Sequence, residues 1–184
     1  MVDHIPSPPI APPDLEPGWQ QAVVIRYARE SDLPALEWDG EYSHLRRIYA
    51  ETYQRTQHGQ ALMWLAEYPA AGVIGQVFAQ VRTQQKKMPR REKQAYIHSV
   101  RVKPDYRNAG IGTRLMHTAE GDLARRGFSQ VSLNVAFANP DARRLYERLG
   151  YRPVEQVAGQ WSFYDHNNVL QQVNEPGWRM SKKL

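Results

Sequence analysis

The sequence predicts an α/β (α+β) domain with a mixed, mostly antiparallel, twisted sheet, one parallel βαβ unit and helices on both faces. Two apolar segments in the first half are joined by the short turn 69–72, which is typical of a hairpin. Further on, a strand at Ala95–Val102, a helix and a strand ending at Val135 follow one another. A crossover that contains a helix joins parallel strands, so this unit must differ from the hairpin-linked half.

The elements of the first half follow from hydrophobic periodicity. A strand is predicted from Ala22 to Tyr27, and Ser31 is expected to cap a helical region that continues, with a break near Gly40, to Thr52. The two strands of the hairpin then run from 62 to 68 and from 73 to 81.

The second half alternates helices and strands. A helix is predicted from Gly110 to Arg126, with an apolar stripe at Leu115, Ala119 and Leu123. A strand at 131–135 and a helix at 139–149 come next. The remainder is expected to form two strands, 153–164 and 178–182, with a turn at 165–168.

Two segments are expected to lie outside the packed core. Six prolines fall between residues 1 and 20, so this stretch is predicted to be a disordered or loosely attached arm before a single domain at 21–184. The basic run Lys86–Lys93 lies between two strands and is predicted to be a solvated hairpin loop. Phosphate binding by that loop, and docking through the proline-rich arm, are the less favoured alternatives.

Composition excludes some kinds of site. The 184 residues include no cysteine, so a thiol nucleophile, a disulfide framework and a Cys-ligated metal are excluded, and we expect no metal. The net charge of +5 suits a nucleic acid, a small polyanionic ligand or simply a solvated basic surface. The sequence has no apolar run long enough to cross a bilayer, and its N-terminus does not resemble a secretion signal. We therefore expect a cytoplasmic protein that binds neither membrane nor nucleic acid.

The stretch from Val100 to Thr113 is the segment most typical of ligand binding. It places a strand end, a Gly-containing turn and a helix start in succession, which directs free backbone N–H groups and the helix dipole towards one point. A P-loop would need lysine after Gly112, and a dinucleotide fingerprint would need glycine at Leu115, so neither motif is present. Two glycines alone would indicate only a tight turn.

The fuller pattern Arg107-x-x-Gly110-x-Gly112, after a strand ending in Val-x-Val-x-Pro, resembles the acyl-CoA signature of the GNAT superfamily of N-acyltransferases. A second stretch, Asn139 to Tyr151, resembles that family's Asn-x-x-Ala-x-x-Leu-Tyr-x-x-x-Gly-aromatic motif. The likeness is concentrated between Ile97 and Tyr151. It implies a GNAT-like fold, acetyl-CoA as acyl donor and transfer of the acetyl group to an amine.

The resemblance also implies positions for the donor. The strand backbone at Val100 and Val102 would pair with the pantetheine arm, as would the side chain of Asn139. The pyrophosphate would be bound by the turn residues Arg107, Asn108, Ala109, Gly110, Ile111, Gly112 and Thr113. On the residues alone, Asn139 before Pro140 is an ordinary helix cap.

Tyr146 and His98 are the candidate catalytic residues. The resemblance gives Tyr146 the role of general acid towards the leaving thiolate, although its place on the apolar stripe would equally suit a core residue. No Asp or Glu lies on the strand 96–100, so His98 is the natural candidate for the base. A histidine simply packed on the sheet is an equal possibility. Other candidates for the base are Glu41, His44, Asp165 and His166.

The acceptor is left open by the sequence. Six aromatic residues could line its pocket or belong to the core: Trp38, Tyr42, Trp64, Trp161, Phe163 and Tyr164. The net positive charge disfavours polycationic amines. A small-molecule amine and a protein amine both remain possible, in a monomer or a homodimer. The alternative function is a non-catalytic acyl-CoA-binding or regulatory module.

Overall fold

The computed structural model describes residues 15–81 and 93–184. In chain order its strands and α-helices are β1 (Val24–Tyr27), α1 (Arg46–Gln57), β2 (Ala61–Tyr68), β3 (Gly72–Val81), β4 (Gln94–Val102), α2 (Ile111–Arg125), β5 (Gln130–Ala136), α3 (Pro140–Arg148), β6 (Arg152–Val157), β7 (Gln160–Tyr164), β8 (Leu170–Asn174) and β9 (Gly177–Lys183). Short 3₁₀ turns occupy Trp19–Ala22, Glu30–Glu37, Ser43–Leu45 and Pro104–Tyr106.

One sheet carries most of the molecule. Its strand order is β1-β2-β3-β4-β5-β9-β6, while β7 and β8 form a separate two-stranded hairpin. Every neighbouring pair in the large sheet is antiparallel except β4 and β5, whose crossover contains α2. The predicted mixed sheet with one parallel βαβ unit is therefore confirmed.

The two faces of this sheet support different helices. On β2, Trp64 and Ala66 point into a core shared with α2 and α3, while Met63 and Leu65 point into a second core shared with α1. Side chains alternate along a strand, so a single buried strand supplies both cores. We call the two sides the α2/α3 face and the α1 face.

Three predicted elements were wrong in detail. The helix expected to begin at Ser31 is a 3₁₀ helix, Glu30–Glu37, and its first turn is closed by Asp32, which accepts a hydrogen bond from the Arg29 backbone N–H at 2.7 Å. The single strand expected at 153–164 is two strands, β6 and β7, broken at Gly159, whose φ is +61°. The strand β8 was missed, because Gln and Asn dominate it and leave little apolar alternation.

The predicted N-terminal arm is described only in its last part, and residues 1–14 lie outside the described residues. Trp19 is buried and its ring centroid lies 5.3 Å from that of Tyr106. Packing thus already begins before the predicted boundary at residue 20, and the division into arm and domain stays a prediction. Most of the basic loop Lys86–Lys93 also lies outside the described residues. Within 15–81 and 93–184, no helix is long and apolar enough to span a membrane.

Candidate active site

The Gly-containing turn presents a run of free backbone donors. Asn108 and Gly110 have φ values of +58° and +80°, and α2 begins immediately afterwards at Ile111. Among the described residues, no acceptor takes a hydrogen bond from any backbone N–H between Asn108 and Thr113. Orphan N–H groups at a helix start, with the dipole behind them, make a site for an anion. The turn predicted to bind a phosphate therefore has the geometry to do so.

Two further contacts fix this turn against the sheet. Arg107 Nε donates to the Val102 carbonyl at 2.9 Å, which ties the turn to the end of β4. At Gly112, an added Cβ would lie 3.5 Å from Leu145 Cδ2 and 3.9 Å from Val102 Cγ2. The start of α2 therefore lies directly on both α3 and β4. Ile111 itself is a core residue, buried to 1% exposure.

Beside the turn, the sheet opens into a fork. Strands β4 and β5 pair only from Gln94 with Gln130 to Tyr96 with Ser132, although β4 continues to Val102. Near the point of separation β4 also has a bulge, in which Ser99 and Val100 together face Val77 of β3 and Ser99 takes a φ of +53°. The predicted pantetheine-binding positions Val100 and Val102 both lie on β4 past its last pair with β5, and the Val102 carbonyl accepts the hydrogen bond from Arg107 Nε.

Helix α3 approaches the fork from the α2/α3 face. Asn139 is its cap, since Oδ1 accepts a hydrogen bond from the Ala142 backbone N–H at 3.1 Å. A cleft of about 460 Å³ lies between Asn139 and the turn Asn174–Pro176. Tyr146 is buried to 6% exposure, and burial raises the pKa of its phenol, with Tyr96 adding a smaller contribution in the same direction. Tyr146 thus lies near Tyr96, the last residue of β4 that pairs with β5.

His98 lies on the opposite, α1 face. Its ring stacks on Tyr96 at 5.9 Å, and Nδ1 lies 3.1 Å from Ser99 Oγ. Nε2 is buried, with no partner among the described residues. Burial first, and the charges of Arg101 and Arg55 second, lower the pKa of His98 to about 4. The imidazole is therefore neutral at physiological pH, and it is a weaker base than an ordinary histidine.

The other candidate bases differ in how far they are already engaged. Asp165 is buried and accepts hydrogen bonds from the Val169 and Asn167 backbone N–H groups and from Gln171, so that it closes the β7–β8 turn. Those bonds, led by the one from Val169, lower the pKa of Asp165. His44 is exposed and packs at 6.2 Å from the Phe163 ring. Glu41 and His166 are exposed.

The six aromatic residues predicted for the acceptor pocket divide into two groups. Trp64 belongs to the core of the α2/α3 face. The other five lie on elements beside the α1 face or on the β7–β8 hairpin: Trp38, Tyr42, Trp161, Phe163 and Tyr164. Contacts join Trp38 to Tyr42, Tyr42 to His44, His44 to Phe163, and Phe163 to Trp161. The hairpin thus meets the α1 side of the site through an aromatic chain.

Three polar residues of this region were missed by sequence reasoning. Arg101 extends over the Tyr42 ring, 4.2 Å from its centroid, and donates from Nη1 to the Tyr49 hydroxyl at 2.7 Å. Gln76 faces Arg101 across the β3–β4 register and is fully buried. The available signal was Gln76 among the apolar residues of β3 and Arg101 between two valines of β4, because burial of a polar group without a partner is costly.

The comparisons agree with this geometry. The sequence model of the Acetyltransferase (GNAT) family matches residues 31–151. This chain belongs to the GNAT acetyltransferase family. It is 34% identical over 131 residues to the probable N-acetyltransferase camello of Xenopus tropicalis, which covers 65% of this chain and 56% of that protein. It is 31% identical over 78 residues to thialysine N-epsilon-acetyltransferase of Sus scrofa, covering 42% of this chain and 46% of that protein.

Solved GNAT structures share the fold at low sequence identity. Arabidopsis thaliana NAA60 in complex with acetyl-CoA superposes with a TM-score of 0.67 at 18% identity, covering 88% of this chain and 98% of that one. The Escherichia coli ribosomal-protein-S18-alanine N-acetyltransferase superposes with a TM-score of 0.63 at 20% identity, covering 88% and 93%. The family and fold predictions are thus confirmed, and with them an acetyl-CoA-dependent acetyltransferase domain at the level of the family. The chain spans 29% to 56% of the length of the first curated relatives it matches.

Proposed function

We propose that the protein is an N-acetyltransferase that moves the acetyl group of acetyl-CoA to a primary amine by direct attack in a ternary complex. The observation that carries the proposal is the free N–H run from Asn108 to Thr113 next to the unpaired part of β4. The turn offers donors to a pyrophosphate, and the open edge at Val100 and Val102 offers backbone groups to an extended arm. Asn139, with its cap contact made through Oδ1, retains its amide N–H groups for the same arm.

The chemistry needs a neutral amine, stabilisation of the oxygen that becomes negative, and protection of the leaving sulfur from full charge. Tyr146 is the proposed general acid, because its raised pKa keeps the phenol protonated at neutral pH and its O–H can be donated to sulfur. Backbone N–H groups between Ser99 and Val102 are proposed to stabilise the oxygen. No covalent enzyme intermediate is needed.

The two faces of the sheet would then bring the reactants together through the fork. Tyr146 approaches from the α2/α3 face, whereas His98 lies on the α1 face, where the amine would enter. His98 is proposed to accept a proton from the amine. Its low pKa means that it is deprotonated and ready at neutral pH but drives proton transfer weakly. The rate would therefore depend largely on the amine entering the site in its neutral form.

The test is release of free thiol from acetyl-CoA in the presence of a panel of primary amines. In Tyr146→Phe, we expect kcat to fall by about 100-fold or more while the KM for acetyl-CoA stays nearly constant, because only the proton donor is lost. Tyr151→Phe is the matched control, since that ring is also buried and its centroid lies 5.9 Å from that of Tyr146.

Binding of CoA without thiol release from any amine would instead support the alternative, an acyl-CoA-binding module. Equal loss of kcat in both tyrosine variants would remove Tyr146 from the role of general acid. The acceptors named for relatives include thialysine and aminoglycosides, so the family does not decide between acceptors for this chain.

A further inference from the structure

Buried polar atoms without partners are concentrated on one side of the sheet. Six such side-chain atoms occur among the described residues, and four of them belong to Trp38, Gln76 and His98. These three residues lie on the same side of the sheet as Arg101. Gln76 faces it in the β3–β4 register, His98 is on the same face of β4, and Trp38 packs on Tyr42, which lies beneath the guanidinium. We call this group, with Tyr49, the Arg101 chamber.

Arg101 is the positive charge of this chamber, and it has no anionic partner within the described part of the chain. Its guanidinium is half-buried, and no carboxylate of residues 15–81 or 93–184 lies within 4.0 Å of it. Arg46, at the start of α1, provides a contrast, because it binds both oxygens of Glu37 at 2.6 and 2.8 Å. Withdrawing a cation from water without a counter-ion is costly, so the chamber is built for an anion that arrives from outside.

The hydrogen-bond donors of the chamber indicate which kind of anion it binds. The Arg101 guanidinium makes a single hydrogen bond within the described part of the chain, to the Tyr49 hydroxyl, and its other N–H groups remain free there. Trp38 Nε1 adds a buried N–H group without a partner among the described residues, and the Gln76 side chain lies beside the Tyr49 hydroxyl. A planar guanidinium matches a planar carboxylate with two parallel hydrogen bonds. We propose that the Arg101 chamber binds a carboxylate carried by the acceptor, so that the substrates are small amino acids.

The proposal rests on the proposed acetyltransferase function and adds the acceptor class. Arg101 follows the Ser99–Val100 bulge directly on β4. At a strand rise of about 3.3 Å per residue, an amine beside the bulge and a carboxylate at Arg101 would be separated by roughly one or two residues of strand, a span that short amino acids bridge. Of the carboxylates on this side of the sheet, Glu37 and Asp165 are already engaged within the protein, and Glu41 lies beside the Tyr42 hydroxyl.

The experiment compares each acceptor with its own primary amide, using the full chain and acetyl-CoA. L-amino acids, β-alanine and 4-aminobutanoate are measured against the corresponding amides, which keep the amine and lose the charge. We expect kcat/KM to be at least about 10-fold higher for the carboxylates. An N-terminal aspartyl peptide amide supplies its carboxylate from a side chain, and preference for it over free amino acids would overturn the small-substrate part of the proposal.

Substitution of Arg101 ties the preference to the chamber. Arg101→Met should lower kcat/KM for the carboxylates by about 30-fold or more, through KM, and leave the KM for the amides within about 3-fold. Arg101→Lys should restore part of the loss, because charge returns without the planar fork. Arg152→Met is the matched control, since Arg152 is exposed on β6. Equal loss for carboxylates and amides would overturn the proposal.

Calorimetry separates this proposal from the proposed function. Binding of the same amino acids and amides to the CoA-loaded protein is measured directly, so that selectivity is scored without turnover. Arg101-dependent binding of carboxylates without thiol release would contradict the proposed function and support the chamber. Thiol release from amides and carboxylates at equal rates would support the proposed function and overturn the chamber.

Discussion

The turn from Asn108 to Thr113 and the Arg101 chamber both offer unpaired donors, but they are constructed differently. The turn uses consecutive backbone N–H groups, so its chemistry depends on chain conformation and on a glycine at one position. The chamber uses side chains from four separate places in the chain, namely β3, β4, α1 and the residue after the 3₁₀ helix at 30–37. The proposed donor site is thus encoded by neighbouring residues, whereas the proposed acceptor site depends on the tertiary structure.

The largest expected effect comes from a substitution that changes the backbone conformation of the turn Asn108 to Thr113. Gly110 has a φ of +80°, and an added Cβ would meet no heavy atom within 4 Å, so conformation rather than space requires glycine there. Gly110→Val should move the turn out of this conformation at a cost of about 2–3 kcal/mol and weaken acetyl-CoA binding by roughly 30- to 100-fold. Calorimetric titration with acetyl-CoA measures the change.

Gly110→Asn is the matched control, because asparagine tolerates a positive φ better than other residues with a side chain. It should bind acetyl-CoA within about 5-fold of the wild type. If Gly110→Val and Gly110→Asn bound equally well, the N–H run would not depend on this turn conformation, and the comparison between local and tertiary encoding would fail.

The same distinction explains what could be predicted from sequence. Residues that are close in the sequence determine the turn, the cap at Asn139 and the crossover that contains α2. The sequence predicted each of these features. Gln76 and Arg101 are 25 positions apart and meet only through strand register, which also contains a bulge. The separation of β7 from β6, and strand β8 itself, carry no apolar alternation that distinguishes them from loop.

A second prediction concerns His98 in the Arg101 chamber and the dependence of stability on pH. His98 has its pKa lowered to about 4 in the folded protein, against about 6.5 when exposed, so the unfolded chain binds more protons between these values. The free energy of unfolding should therefore rise with pH across this window. The contribution of His98 to the free energy of unfolding should be fully present above about pH 6.5 and lost as the pH falls towards 4. We expect about 2–3 kcal/mol of it to be lost by pH 4.5.

Denaturant unfolding at both ends of this window measures the contribution. His98→Gln removes the titrating group and should lose less stability on acidification than the wild type. His117→Gln is the matched control, because His117 is exposed on α2. This variant should lose as much stability on acidification as the wild type. Equal acid sensitivity of all three proteins would mean that His98 is protonated as easily in the folded state as in the unfolded chain.

The smallest expected effect separates the two roles of Asn139, as helix cap and as proposed contact of acetyl-CoA. Its Oδ1 caps α3, whereas its amide N–H groups are proposed to contact the pantetheine arm. Asn139→Ala should lose about 1 kcal/mol of stability together with acetyl-CoA affinity. Asn139→Asp keeps an oxygen acceptor for the Ala142 N–H and adds a favourable charge at the helix start, so its stability should be retained.

The KM for acetyl-CoA then decides. If the amide N–H groups contact the donor, Asn139→Asp should still raise the KM severalfold, because a carboxylate cannot donate a hydrogen bond. If the KM of Asn139→Asp instead equals that of the wild type, the KM changes only when stability changes. Asn139 would then act only as a helix cap. In that case the donor site would consist of backbone groups only, and the contrast with the side-chain-built Arg101 chamber would become sharper.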